Sequence, residues 1–225
     1  MSRFALLSTC TILLWFPVAA ATGALSQDSP QQVASALQAR YDNIRDFTAD
    51  FTQQYDSSIF RKKKLLERGK VQIKKPGKMR WDYTAPEKKL FVSDGSYTYL
   101  FVPADNHVTQ SPVPKEDEAT TALLFLVGKG NLTRDFTVSF LPGAPADTFG
   151  LRLEPKLPDR DYDWLQLHID RKSLQIRTLT AADRQGGQSA FTFTNFKENV
   201  GLADKTFDFK IPRGADVVKA GVPPR

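Results

Sequence analysis

Metal binding, nucleophilic attack and proton transfer draw on histidine, cysteine, serine and carboxylates, and this chain spaces few of them usefully. Its two histidines, His107 and His168, stand far apart, one in an expected loop and one on the polar side of an expected strand. That separation lacks metal-ligand spacing. Asp159, Asp161, Asp163 and Asp170 cluster near a turn. A calcium loop would also need a glycine at its bend and a distal glutamate, so solvated turn carboxylates are expected. Ser93-Asp94-Gly95 could pair a nucleophile with a carboxylate, but Asp-Gly is also preferred hairpin-turn chemistry. No Gly-x-Ser-x-Gly elbow, phosphate-cradling glycine loop or His-Glu-x-x-His occurs, and each of those chemistries depends on its spacing. No catalytic residue, cofactor or metal is expected. The basic run Arg61-Lys62-Lys63-Lys64, joined by Arg68 and Lys70, comes without a nucleic-acid module. It reads first as a solvated hairpin face and second as a protein-docking patch.

The elements that carry these residues are mostly strands. Residues 71–103 read as a β-meander: Met79, Trp81 and Tyr83 alternate with Arg80, Asp82 and Thr84, a period of two that sends one set to each face of a sheet. Pro76-Gly77, Ala85-Pro86 and Ser93-Asp94-Gly95 supply the turns, and neighbouring strands joined so tightly are antiparallel. Ahead of the meander, Ser29-Pro30-Gln31-Gln32 is a capping-box helix start. Val33, Leu37, Tyr41 and Ile44 then form one apolar stripe. Phe47, Ala49, Phe51 and Tyr55 switch to period two and make a half-buried strand, and a second strand ends in Val71 and Ile73.

Residues 103–114 are expected to be a loop and residues 115–127 a helix whose part 122–127 is apolar all round. Such a helix must be covered on several sides or must itself cover something. Alternation resumes at 136–140, 149–153, 165–169, 176–179 and 190–196, most clearly in Phe191 and Phe193 against Thr192 and Thr194. A last strand is expected at 207–211, followed by a loose or edge-covering tail. The fold class predicted is mainly β, with about ten strands and two or three helices. Aromatic residues on strand faces and a greasy helix fit a binding protein, but such faces also build ordinary cores. Filled core and open cavity remain alternatives.

Residues 1–21 carry one positive charge, Arg3, an apolar run and then Ala19, Ala20 and Ala21, the pattern of a secretory signal cleaved between Ala20 and Leu25. The run is too short for a stable span of about 20 apolar residues. Leu7-Ser8-Thr9-Cys10 offers a competing lipoprotein-processing box, although most of the apolar run follows Cys10 and Thr9 is bulky for that position. Cleavage would remove the only cysteine, and with it any disulfide or thiol chemistry. Residues 22–225 are then expected to form one domain. Losing Arg3 from the 31 basic residues leaves 30 against 25 acidic, a net charge of +5. That surplus permits attraction to anionic surfaces without requiring it.

Lys75-Pro76-x-x-Met79-x-Trp81 followed by Val92-Ser93-Asp94-Gly95 resembles the signature of the LolA family, the periplasmic outer-membrane lipoprotein carriers. The likeness extends to the leading helix, Phe47-x-Ala49-x-Phe51-Thr52-Gln53, Arg134-Asp135-Phe136 and Phe207-x-Phe209-x-x-Pro212-x-Gly214. It implies an incomplete antiparallel β-barrel with an α-helical lid over a hydrophobic cavity that holds acyl chains. It also implies a periplasmic, monomeric chaperone without an active site. Such a carrier is loaded with outer-membrane lipoproteins by an ATP-driven inner-membrane (ABC) releasing complex and unloaded by an outer-membrane receptor. Alternatives are a carrier of another lipid or glycolipid, and a lipid-sensing scaffold. By strand parity, the expected lining is Phe47, Phe51, Val71, Ile73, Met79, Trp81, Leu90 and Val92. The expected lid is Val33, Leu37 and Tyr41 with Leu123, Leu124, Phe125 and Leu126. The resemblance makes Lys75 the latch, where family members typically carry arginine, and a lysine without arginine's planar fork should hold the lid less firmly. Met79 stands where the family often has phenylalanine and is soft enough to contact lipid.

Overall fold

The computed structural model of the chain describes residues 28–56, 65–113, 130–158 and 162–220. The expected leader, the basic run Arg61 to Lys64 and the expected lid residues Leu123, Leu124, Phe125 and Leu126 lie outside them, as do Asp159 and Asp161.

The chain enters through helix α1, Pro30–Asp42, whose capping box is complete. Gln32 donates its backbone N–H to Ser29 Oγ at 3.2 Å, and Ser29 N–H donates to Gln32 Oε1 at 2.7 Å. These bonds satisfy donors that a helix start leaves orphaned. Val33, Ala34, Leu37 and Tyr41 form its buried stripe. Twelve strands then make one sheet. They are β1 (Asp46–Asp56), β2 (Leu65–Lys74), β3 (Lys78–Ala85), β4 (Lys89–Ser93), β5 (Tyr97–Val102), β6 (His107–Pro112), β7 (Phe136–Phe140), β8 (Thr148–Pro155), β9 (Trp164–Asp170), β10 (Ile176–Ala182), β11 (Gln188–Glu198) and β12 (Asp216–Lys219). A one-turn helix, α2 (Leu132–Asp135), precedes β7.

The sheet runs β12-β6-β5-β4-β3-β2-β1-β11-β10-β9-β8-β7. Two meanders, β1–β6 and β7–β11, are sewn together by β1 and β11, with Phe51 opposite Phe193 and Gln53 opposite Phe191. Each neighbouring pair is antiparallel except β12, which lies parallel to β6. The outermost strands, β12 and β7, do not meet. Yet Val138 of β7, Met79 of β3 and the α1 stripe share one core. That is possible because the sheet curls around α1, as sheets with a consistent twist do. The architecture is an incomplete, almost wholly antiparallel barrel with helix α1 over its concave face.

Three expectations are corrected. The described residues form twelve strands, because β6 occupies part of the expected loop at 103–114 and β12 the expected tail. β6 presents a single buried apolar residue, Val108, which left no periodicity to read. The strand expected at 207–211 is instead a 3₁₀ turn, Asp204–Phe207, followed by irregular chain. There Phe207 is buried, and Phe209 packs its ring 5.1 Å from Tyr99 and 6.0 Å from Phe101. These aromatics plug the outer face of β4 and β5 instead of alternating across a sheet, and the strand that covers the edge follows them.

Candidate functional site

The concave face is built rung by rung from cross-strand pairs, the unit of sheet stabilisation. Phe47 faces Ile73, Ala49 faces Val71 and Phe51 faces Gly69 between β1 and β2. Val71 faces Trp81, and Ile73 faces Met79, between β2 and β3. The expected lining residues Phe47, Phe51, Val71, Ile73, Met79 and Trp81 are thus brought together, and all are buried in one core. Around Trp81 an aromatic cluster forms. Phe51 stands edge-on to Trp81 and to Tyr83 at 4.9 Å each, and Phe191 edge-on to Trp81 at 5.4 Å. Such geometries are favourable beyond area burial. A side chain at position 69 would end this close packing, since a Cβ there would fall 2.0 Å from the Asp82 carbonyl oxygen and 2.9 Å from the Phe51 ring.

Leu90 and Val92 do not belong to this face. The β3–β4 register sets Trp81 opposite Phe91 and Met79 opposite Ser93, while Leu90 and Val92 oppose Asp82 and Arg80. A one-residue error in parity moves a whole strand to the wrong face. Val92 is buried on the outer side, in register with Tyr99, where Phe209 packs. Phe91 takes the place assigned to it. Phe191, Phe193, Tyr83 and Phe91 are among the concave residues outside the expected lining. The alternation of Phe191 and Phe193 was visible, but their union with Trp81 requires the β1–β11 pairing between distant parts of the chain.

Val33, Leu37 and Tyr41 of α1 are buried against the concave face. The helix is held there by polar contacts at its ends. Lys75 Nζ donates to the main-chain carbonyl of Tyr41, in the last turn of α1. The same ammonium lies 5.9 Å from the Tyr41 ring centre. A cation at a helix C-terminus also meets the negative end of the helix dipole. Burial lowers the Lys75 pKa from its ordinary value, opposed by the Asp42 carboxylate. Tyr41 itself is raised, chiefly by burial, and its hydroxyl oxygen accepts from Ile176 N–H at 3.4 Å. Arg40 pairs with Glu198 of β11 at 2.8 Å, and Gln31 Nε2 donates to the Val138 carbonyl at 3.3 Å.

Beyond Tyr83 the concave face turns polar. Glu67, almost buried, pairs with Lys89 at 2.5 Å, and Lys89 Nζ lies 4.6 Å over the Tyr83 ring. Tyr83 Oη donates to Gln53 Oε1 at 2.9 Å, and Gln53 Nε2 donates to Ser189 Oγ at 2.9 Å. Burial, then the Glu67 charge, raises the Tyr83 pKa. Ser93, by contrast, is a turn residue: it is 1 % exposed and donates to the Gly77 carbonyl at 2.9 Å. Asp94 Oδ1 accepts from Ser96 and Tyr97 N–H in the same turn, where Gly95 takes φ 98°. Asp170 likewise serves a turn, accepting from Lys172 and Ser173 N–H at 3.0 and 2.8 Å. His107 lies in β6 with Nδ1 3.3 Å from Asp216, and His168 faces away from the concave core. Among the described residues no group of three or more His, Cys, Asp or Glu could hold a metal ion.

The family described as outer membrane lipoprotein carrier protein LolA matches residues 42–210. A protein from Chromohalobacter salexigens named outer-membrane lipoprotein carrier protein is 31% identical, over 92% of this chain and 97% of its own. One of the same name from Hahella chejuensis is 29% identical over 89% and 94%. In fold, the chain is similar to the crystal structure of an uncharacterised conserved protein from Thermus thermophilus, at TM-score 0.51 and 12% identity over 84% of this chain and 98% of that one. With its helix-covered half-barrel and a match across most of its length, the chain belongs to the LolA family.

Proposed function

We propose that this protein carries lipoproteins across the periplasm by sequestering their acyl chains against its concave aromatic face. One observation carries the reading: that face is covered by a helix that belongs to no sheet and is fastened by a few side-chain hydrogen bonds. Such a cover can be exchanged for a ligand without unpairing a strand. At about 0.8 kcal/mol per buried CH₂, an acyl chain of ordinary length costs more than about 10 kcal/mol to expose. Unassisted transit through water is therefore excluded, and the carrier names of the relatives and the leader at 1–21 support the same reading.

In this reading Phe47, Phe51, Val71, Ile73, Met79 and Trp81 line the acyl site, joined by Phe91, Phe191 and Phe193. Val33, Leu37 and Tyr41 form the lid and Lys75 the latch. No bond is made or broken, so direction comes from partners: an inner-membrane ABC complex that loads and an outer-membrane receptor that unloads. Native mass spectrometry of protein purified from the periplasm tests this. A diacylated or triacylated lipoprotein bound one-to-one is expected. A phospholipid or glycolipid would redirect the reading to another cargo, and protein that stays empty when challenged with lipoprotein would refute it.

A further inference from the structure

Among the described residues the indole N–H of Trp81 has no hydrogen-bond partner, although the residue is 1 % exposed. Buried tryptophans ordinarily satisfy this donor, and an unmet buried donor carries the cost of its lost hydration. Edge-to-face contact with the rings of Phe51 and Phe191 softens the cost without supplying an acceptor. The position is also the wrong one for a spare polar atom. Trp81 stands at the centre of the concave floor, between Val71 and Phe91 along the rung, where phenylalanine would fill most of the same space without a donor. Its cluster borders the polar stretch formed by Tyr83, Gln53 and Glu67. Along this face, apolar surface, one free donor and then a polar band follow in order. An acylated head group has the complementary order: hydrocarbon, a carbonyl oxygen, then polar atoms.

We infer that Trp81 Nε1–H is a recognition donor for the acyl carbonyl oxygen of the cargo, unmet in this closed structure and satisfied when an acylated ligand enters the concave face. The inference rests on the carrier reading and adds a chemical selection to it. A purely hydrophobic floor would hold any alkyl chain equally, whereas this one prefers chains joined through an ester or amide carbonyl to chains joined through an ether.

The test compares 1-palmitoylglycerol, N-palmitoylethanolamine and 1-O-hexadecylglycerol, which share a sixteen-carbon chain (roughly equal apolar burial) and differ in the carbonyl. Protein labelled with ¹⁵N reports directly, because Trp164 lies on the outer face under Arg152 and serves as the internal control. A carbonyl lipid is expected to bind about five to ten times more tightly than the ether. It should also move the Trp81 indole proton downfield while leaving Trp164 in place, and whichever of ester and amide does so is the acceptor. Trp81→Phe should abolish the preference for the carbonyl lipids over the ether. Equal wild-type affinities with the same indole shift for ether and carbonyl lipids would overturn the inference and leave the carrier reading intact. Failure of every lipid to bind would sink both. If Trp81→Phe does not fold, the wild-type indole shifts decide alone.

Discussion

Lys75→Met removes the ammonium that donates to the Tyr41 carbonyl while keeping an unbranched stem of similar reach. A hydrogen bond to a charged group contributes about 1.5–3 kcal/mol when well buried. Lys75 is only half-buried, and docking strips water from the ammonium, which lowers its pKa, so the net contribution should be about 1 kcal/mol. Undocking of α1 should therefore become about five times more frequent. The readout follows from helix length. A helix of 13 residues is marginal alone in water, so α1 unravels when it leaves the sheet and its amides exchange. Native-state hydrogen exchange should show about fivefold lower protection for Leu37 to Asp42, with β1 and β11 amides at wild-type protection. Lys75→Arg should restore or raise α1 protection and slow lipid release, because the guanidinium fork can reach further carbonyls. Wild-type protection of α1 in the methionine variant would refute the latch, since another contact would then be holding the helix.

The pH dependence of the same contact has a definite sign. Because burial lowers the Lys75 pKa in the docked state, the undocked protein binds more protons between that value and about 10.5. Docking should tighten as pH rises through this window and be insensitive to pH below it, where α1 protection checks it. Gly69→Ala should destabilise the fold by about 3 kcal/mol in urea, since the added Cβ would sit 2.0 Å from the Asp82 carbonyl oxygen; a loss under 1 kcal/mol (roughly the tolerance of a volume-conserving swap) would show that β2 can shift there. Glu67→Gln leaves the Lys89 ammonium over Tyr83 without its counter-charge and should cost about 2 kcal/mol. Adding Lys89→Met should recover most of it, and failure to recover would mean the pair does more than neutralise itself.

Much of this fold could be read from period and turn chemistry. The helix start at Ser29, the switch to period two at Phe47 and the meander through Trp81 are local signals, and each is an element end or strand in the structure. The errors share a cause. Leu90 and Val92 are as apolar as Phe91, so β4 offers no alternation of its own, and only the register with β3 decides which side faces in. β6 hides because its one anchor, Val108, is buried by what covers the outer face and not by its own periodicity. Lys75 was legible as a motif residue, but its acceptor was not: the Tyr41 carbonyl meets it through the packing of α1 on the sheet. The bare indole donor of Trp81 is likewise invisible in a sequence, because being unpartnered is a property of surroundings.

The two faces of the sheet are covered in different ways, and the contrast bears on which cover can leave. Outside, the C-terminal segment inserts Phe207, adds β12 to the β6 edge and is tied by Asp204 to Lys74 and Lys78 at 2.7 and 3.3 Å. Asp46 also accepts from Gly201 N–H at 3.1 Å. Removing that cover would break backbone pairing. Inside, α1 contributes Val33, Leu37 and Tyr41, with Ile44 just beyond. At about 1.5–3 kcal/mol for each large apolar side chain buried, their contact with the sheet is worth roughly 6–12 kcal/mol. One acyl chain of ordinary length is worth slightly more than about 10 kcal/mol by the same rule. In the proposed exchange the helix therefore offsets about one acyl chain, and each further chain of a diacylated or triacylated cargo favours the loaded state. A latch such as Lys75 tunes that exchange, because about 1 kcal/mol shifts it roughly fivefold. The same change would be lost in the permanent cover on the other side.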